Sequence, residues 1–217
     1  MRLDVDRGLQ EAFPGLDAHL VEVRGLRVLD RDPRLDPFVD VLVREFRERF
    51  DLATLKDEPL LRAYRDFYWR VGIDPTKTRP ASEALLRRIL QGKEFPRINT
   101  LVDAYNLASA KTRVAIAAFD MGRLEGDVLT MRLARSGEAF AGIGMERPVV
   151  LKGVEVVVED VRALVAIYPY RDADATKVTT ATQETCFMTC GVPGIERGTL
   201  VEAAVTTKAF VERFCRS

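Results

Sequence analysis

Between residues 114 and 168 the apolar residues come in short runs cut by glycine, proline and charge, and this limits the fold more than any other feature. Segments 114–119, 127–134, 149–151, 154–158 and 163–168, with Ala139-Phe140, are short and rich in Val, Leu and Ile. Ser136-Gly137 reads as a hairpin turn toward Ala139-Phe140. Such closely spaced strands pair with their neighbours, so the region reads as a β meander.

On both sides the apolar period becomes helical. Residues 5–13 make a short helix with Leu9, Ala12 and Phe13 inward, stopped by Pro14-Gly15. Residues 19–28 read as a strand interrupted at Gly25. Asp36-Pro37 reads as an N-cap and first helical position, with Phe38, Val41, Leu42, Phe46 and Leu52 following at helical spacing. Another helix starts near Asp57 with Pro59 in its first turn, and Leu60, Leu61, Tyr64, Phe67, Tyr68 and Val71 line one face. Tyr64, Phe67, Tyr68 and Trp69 could stack on bases, but three of them share one stripe, which favours core packing. Downstream, 80–91 is a short basic helix stopped by Gly92, and Asn99 caps a helix over 100–110. A helix is expected from about Thr180 to Gly191. A last helix opens at Thr199, with Glu202 completing a capping box. The expected fold is α+β: a mixed, largely antiparallel sheet flanked by helices from both ends of the chain. No linker composition divides the 217 residues, so one domain is expected, with 1–70 a mostly helical lead-in.

Lys and Arg total 33 against 33 acidic residues, so the broad basic surface of a duplex or DNA binder is missing. One local surplus stands out. Lys77, Arg79, Arg87, Arg88, Lys93 and Arg97 face only Glu83 and Glu94 over 77–97, enough to meet phosphates at an RNA end or to make a solvated helix face. No apolar run reaches membrane-spanning length, and no signal peptide is read at the N-terminus. Three unevenly spaced cysteines fit a reducing, cytoplasmic setting.

Familiar chemistries find little support. The single histidine, His19, lies on an expected strand far from the middle of the chain, which argues against a serine triad or a catalytic zinc centre. Cys186 and Cys190 would share a helical face, but position 193 is proline, and three cysteines leave a four-thiolate site short, so no metal is expected. Gly142-Ile143-Gly144 is followed by Arg147, not a third glycine, and opens no helix, so no dinucleotide cofactor is expected. Arg171, Asp172, Asp174, Thr176, Lys177 and Thr179 form a polar cluster before an expected helix, either an anion site or a solvated capping loop.

The most informative stretch is 74–127. Asn99, Asp103 and Asn106 recur every three or four positions and so share a helix face; a solvated face would look the same. The run Ile98-Asn99-Thr100-Leu101-Val102-Asp103-Ala104-Tyr105-Asn106, with Ala118-Phe119-Asp120 and Leu124-Glu125-Gly126-Asp127, resembles the editing domain of phenylalanyl-tRNA synthetase β subunits, built from modules B3 and B4. Arg79-Pro80-x-Ser82-Glu83-Ala84-Leu85-Leu86-Arg87-Arg88 and Pro96-Arg97-Ile98-Asn99 are similar to the free-standing relatives of that domain. The resemblance spans roughly 70–190 and implies a sheet that curls toward a barrel.

The resemblance also implies a function: hydrolysis, in trans, of the ester of a mischarged aminoacyl-tRNA. The partner it implies is a tRNA acceptor end or an aminoacyl-nucleotide-like ligand. Asn106 falls at the family's editing asparagine, with Asp103 beside it as the second candidate catalytic group. Arg79, Asn99, Tyr105, Asp120, Glu125, Arg171, Asp172 and Lys177 are the binding candidates. Two departures matter. Tyr105 stands where the family has a small hydroxyl residue, and Ala117 stands where the synthetases carry a histidine. A non-catalytic module that binds an RNA end, a nucleotide or an aminoacyl-like molecule is therefore the alternative, and a protein–protein adaptor a third.

Overall fold

The computed structural model describes residues 1–216. Its strands are β1 (Arg2–Val5), β2 (Asp17–Arg24), β3 (Ala115–Asp120), β4 (Val128–Leu133), β5 (Ala139–Phe140), β6 (Val149–Val150), β7 (Val156–Glu159), β8 (Leu164–Tyr168), β9 (Arg171–Asp172) and β10 (Glu184–Gly191). Its α-helices are α1 (Arg7–Ala12), α2 (Leu35–Arg49), α3 (Pro59–Arg70), α4 (Ala81–Leu90), α5 (Thr100–Thr112) and α6 (Arg197–Cys215). A five-stranded sheet runs β1-β4-β7-β8-β9, a three-stranded sheet β2-β10-β3, and β5 pairs with β6. Among the described residues only β1 with β4 is parallel; the other pairings are antiparallel. The α+β class is as expected. The two larger sheets curl against each other but remain separate.

The three-stranded sheet is the middle layer. Ala115, Ala117 and Phe119 of β3, with Met188 and Cys190 of β10, join a core with Leu129, Met131, Val156 and Val158 of the five-stranded sheet. Ile116 and Ala118, with Phe187, face a second core made by Leu42, Phe46, Leu86, Ile89, Leu101, Leu107 and Val211 of the helices. Strand side chains alternate between faces, so one short strand can feed both cores.

That position explains the largest departure from expectation. Residues 184–191 form β10, not a helix. It pairs with β2 along its whole length and with β3 from Thr185 to Cys190. A strand covered on both faces shows no polar alternation, and a run of Thr, Cys, Phe and Met closed by glycine looks like a buried helix. Cys186 and Cys190 therefore lie on a strand, buried and unpaired. Ser136-Gly137 likewise does not join β4 to β5 as a hairpin, because β4 pairs with β7 and β5 with β6.

Smaller shifts follow from caps. Asp36 is not the N-cap of α2: the helix starts at Leu35, and the Asp32 carboxylate accepts the Arg34 N–H at 2.8 Å. On this helix Val41 is exposed, and Val39 is buried instead. Thr199 sits inside the first turn of α6, its N–H bonded to the Glu196 carbonyl at 3.0 Å, so no capping box forms there. Asn99 does cap α5, its side chain accepting the Val102 N–H at 2.9 Å. Tyr64, Phe67 and Tyr68 are core residues, while Trp69 faces outward. Ala12 is exposed. The first seventy residues add strands β1 and β2 to their helices; β1 was not anticipated.

Tyr64 ties the layers together. Its hydroxyl accepts the Ala115 N–H at 3.0 Å and donates to the Cys190 carbonyl, bridging β3 and β10 where they begin to part. Tyr64→Phe leaves both backbone groups buried without a partner and is expected to cost about 1–3 kcal/mol. Urea unfolding checks this; an unchanged midpoint would show that the strands close without the hydroxyl.

Candidate ligand hollow and its basic approach

The parting of the two sheets creates a hollow of 260 Å³. Ala115, Ile116 and Ala117 of β3, Met188 and Cys190 of β10 and Ala166, Ile167 and Tyr168 of β8 form its floor and walls. Tyr105 and Asn106 come from α5, Ala81 from the start of α4, and Tyr170, Arg171 and Asp172 from the turn after β8. A second, open groove of 520 Å³ lies beside it, lined by Arg79 ahead of α4, by Arg87 and Arg88 on it, and by Gln91 and Lys93 beyond it. Ala81 and Asn106 line both, so the groove leads into the hollow across the Asn106 amide.

The electrostatics divide along that seam. Arg79, Arg88 and Lys93 make no ion pair among the described residues, which leaves the groove cationic. Asn106 is half-buried and its side chain makes no hydrogen bond among the described residues, so both its donor and its acceptor are available. The carboxyl in the hollow belongs to Asp172, which accepts the Ala118 N–H at 3.1 Å. Burial pushes its pKa up to about 7, against the pull of that amide and of Arg171. The Arg171 guanidinium turns away, donating to the Ile143 carbonyl at 2.5 Å and packing 4.9 Å from the Tyr170 ring. Burial, with Asp172 and Asp103 nearby, raises the Tyr105 hydroxyl, which stays protonated at neutral pH.

The Asp172–Ala118 bond reveals one more group. β3 is an edge strand, and the Ala118 N–H points away from β10 toward Asp172. Amides two residues apart on a strand point the same way, so the Ile116 N–H leaves β3 on the same side as that of Ala118, at a residue that lines the hollow. An unpaired edge amide in a concave site is a ready donor to a ligand oxygen.

The Asp172 pKa has a stability consequence. The folded value, about 7, lies above the ordinary 3.8. The folded chain therefore keeps a proton that the unfolded chain releases, and stability falls as pH rises between those values. Asp172→Asn keeps an acceptor for Ala118 and removes the titration. The variant should gain on the parent protein as pH rises from 4 to 7, then hold a constant difference. Urea melts at pH 5 and 8 check it; the same difference at both would refute it.

Other candidates lie elsewhere. Asp103 is buried beside the N-terminus of α5, where its carboxylate accepts the Ile98 N–H at 2.8 Å and Arg97 Nε at 2.8 Å. It lines neither hollow nor groove, because its side chain is aimed back at the loop that precedes the helix. Asn99 is occupied as a cap. Asp120 closes the turn after β3, accepting from Gly122 N–H at 3.0 Å and Thr182 Oγ1 at 2.7 Å. Glu125 pairs with Arg162 at 3.2 Å on another surface. Lys177 pairs with Asp174 at 2.8 Å, and the expected helix N-terminus beyond it is absent, since the chain runs into β10. The site thus gathers Arg79, Tyr105, Asn106, Arg171 and Asp172 and leaves Asp103, Asn99, Asp120, Glu125 and Lys177 outside. Ala117, at the position of the family's histidine, faces the hollow. Sequence reasoning missed Tyr168, Tyr170 and the Ile116 main chain. The run Tyr168-Pro169-Tyr170-Arg171-Asp172, aromatic and charged at the end of an apolar strand, was the readable signal for the first two.

A mixed-sheet domain with an aromatic hollow under a basic helix is the class this geometry defines. The chain belongs to the B3/4 domain family, whose model matches residues 63–214. No curated protein matches the chain. Among solved structures it is similar to an N-terminal fragment of the phenylalanyl-tRNA synthetase β subunit from Pyrococcus horikoshii, at 15% identity and a TM-score of 0.50. The match covers 96% of this chain and 48% of that one, so this chain spans about half the length of the fragment it resembles. At that identity the likeness speaks to the fold. No helix among the described residues is long and apolar enough to cross a membrane.

Proposed function

We propose that this domain binds the acceptor end of an aminoacyl-tRNA and hydrolyses its ester in trans. The observation that carries this reading is the continuity of a cationic groove with an aromatic hollow across one free amide, Asn106. Phosphates of the terminal nucleotides lie along Arg79, Arg87, Arg88 and Lys93, and the aminoacyl group enters the hollow. The ester then sits at the seam. Asn106 orients the attacking water, and the Ile116 N–H meets the charge that develops on the carbonyl oxygen. Such a site needs no side-chain nucleophile. The test is release of amino acid from a panel of mischarged tRNAs; release no faster than in buffer for every member would end the catalytic reading.

Ala117 favours a second reading. With a methyl group in place of an imidazole, the hollow offers no histidine to carry protons, and the domain then holds the same ligand without turning it over.

Both readings make the groove a phosphate track. Removing Arg79 or Lys93 should weaken RNA binding similarly for all sequences and lower the salt slope by roughly 0.7 for each phosphate no longer neutralised. Filter binding across a salt series checks this. An unchanged slope would place the RNA elsewhere.

A further inference from the structure

We propose that the hollow selects a free α-ammonium group, held by Asp172, so that its ligands are aminoacyl esters with an unblocked amine and not peptidyl or N-acylated ones. This rests on the hollow being the acyl site and narrows what that site accepts.

Three observations converge. First, Asp172 is under-used. A carboxylate can accept about four hydrogen bonds, and its side chain makes one among the described residues, to the Ala118 N–H. No arginine or lysine among the described residues comes within ion-pair distance; Arg171, next to it in the chain, is committed to the Ile143 carbonyl. Asp172 is half-buried at the wall of the hollow, with acceptor capacity left over for a cation brought by the ligand.

Second, the walls suit a cation. Tyr105, Tyr168 and Tyr170 line the hollow together with Asp172. Aromatic faces attract ammonium groups, most strongly where water is excluded. The apolar remainder, Ala166, Ile167 and Met188, offers no competing acceptor side chain.

Third, the two parts of the site differ in charge: the groove is cationic, while in the hollow Asp172 faces Arg171, whose guanidinium is turned to the Ile143 carbonyl. Arg79, Arg87, Arg88 and Lys93 line the groove, and the hollow holds a carboxyl with no paired cation. The complementary ligand is anionic at one end and cationic at the other. An aminoacyl nucleotide is such a molecule, with phosphate on one side of the ester and ammonium on the other. An N-acylated one is not, because its amide carries no charge.

The groups facing Asp172 are Tyr105 from α5, Tyr168 from β8, Cys190 from β10 and its neighbours Tyr170 and Arg171. Burial raises Tyr105, Tyr168 and Cys190, so all three stay protonated at neutral pH. Asp172, at about 7, therefore governs the acid limb of binding. The ligand's own amine, which titrates near 8 when free, governs the alkaline limb.

The experiment is calorimetry on the full chain with two non-hydrolysable probes. One is a 3′-aminoacylamino-3′-deoxyadenosine 5′-phosphate; the other is its N-acetyl derivative. The free amine should bind about tenfold tighter or more at pH 7.5, the scale of one charge-assisted hydrogen bond. Asp172→Asn should bring the two probes within about twofold by weakening the free amine alone. Equal affinities in the parent protein, equal weakening of both probes in the variant, or no binding of either would overturn the proposal. Catalysis is decided separately. Ammonium-selective binding with no release from any mischarged tRNA would keep this inference and remove the hydrolytic reading.

Discussion

Asn106→Ala is expected to slow single-turnover release of amino acid by about 100-fold, the scale of loss when the attacking group is no longer held in place. The residue is half-buried at the seam between groove and hollow and makes no side-chain hydrogen bond among the described residues. Its replacement therefore breaks nothing in the fold. Alanine is also the better helix former, which should add a few tenths of a kcal/mol to stability within α5. The signature is a collapse of turnover with an unchanged or slightly raised unfolding midpoint and near-normal salt dependence of RNA binding. Turnover within about threefold of the parent would remove Asn106 from the catalytic step.

The largest stability effect is expected next to the site, at Glu83. This carboxylate on α4 is fully buried and lies 3.1 Å from Arg65 of α3, with Arg87 at 3.9 Å. Arg65→Met leaves the carboxylate without its main partner and should cost about 3–5 kcal/mol, the range for breaking a buried pair from one side. Arg65→Met with Glu83→Leu together should recover most of that loss, because no buried charge remains unpaired. Thermal or urea unfolding of the two singles and the double gives the coupling. A single variant costing under about 1 kcal/mol would mean that Arg87 swings in to replace Arg65. Since α4 also carries Arg87 and Arg88 into the groove, this pair fixes the basic wall of the groove to the core.

Local chemistry made much of the architecture readable. Proline at the start of α3, asparagine at the cap of α5 and the glycine at 25, where β2 ends and does not resume over 26–28 as expected, are backbone signals whose cause lies within a few residues. The aromatic stripe of α3 was readable for the same reason: helical period places Tyr64, Phe67 and Tyr68 together before any partner is known. β10 was not readable. Its helix-like composition reflects burial on both faces, and the partners that bury it, β2 and β3, lie far away in sequence.

The candidate site divides in the same way. Arg79, Arg87, Arg88 and Lys93 are close in sequence and were visible as a basic surplus. Asn106 and Asp103 were indistinguishable by spacing, since both sit on the same side of one helix. What separates them is that Asp103 is near enough to the helix start for Ile98 and Arg97 to claim its carboxylate, while Asn106 is a turn further on with nothing beside it.

By itself the sequence determined where helices and most strands lie, the basic edge of α4 and the resemblance to an editing domain, because each of these is written in residues near one another. Tertiary structure alone decided that α4, α5, β3, β8 and β9 meet at one hollow, and that Asp172 enters it while Asp103 does not. The reason is the pairing of β10 between β2 and β3: register between distant strands sets which edge stays open, and no local preference encodes that edge.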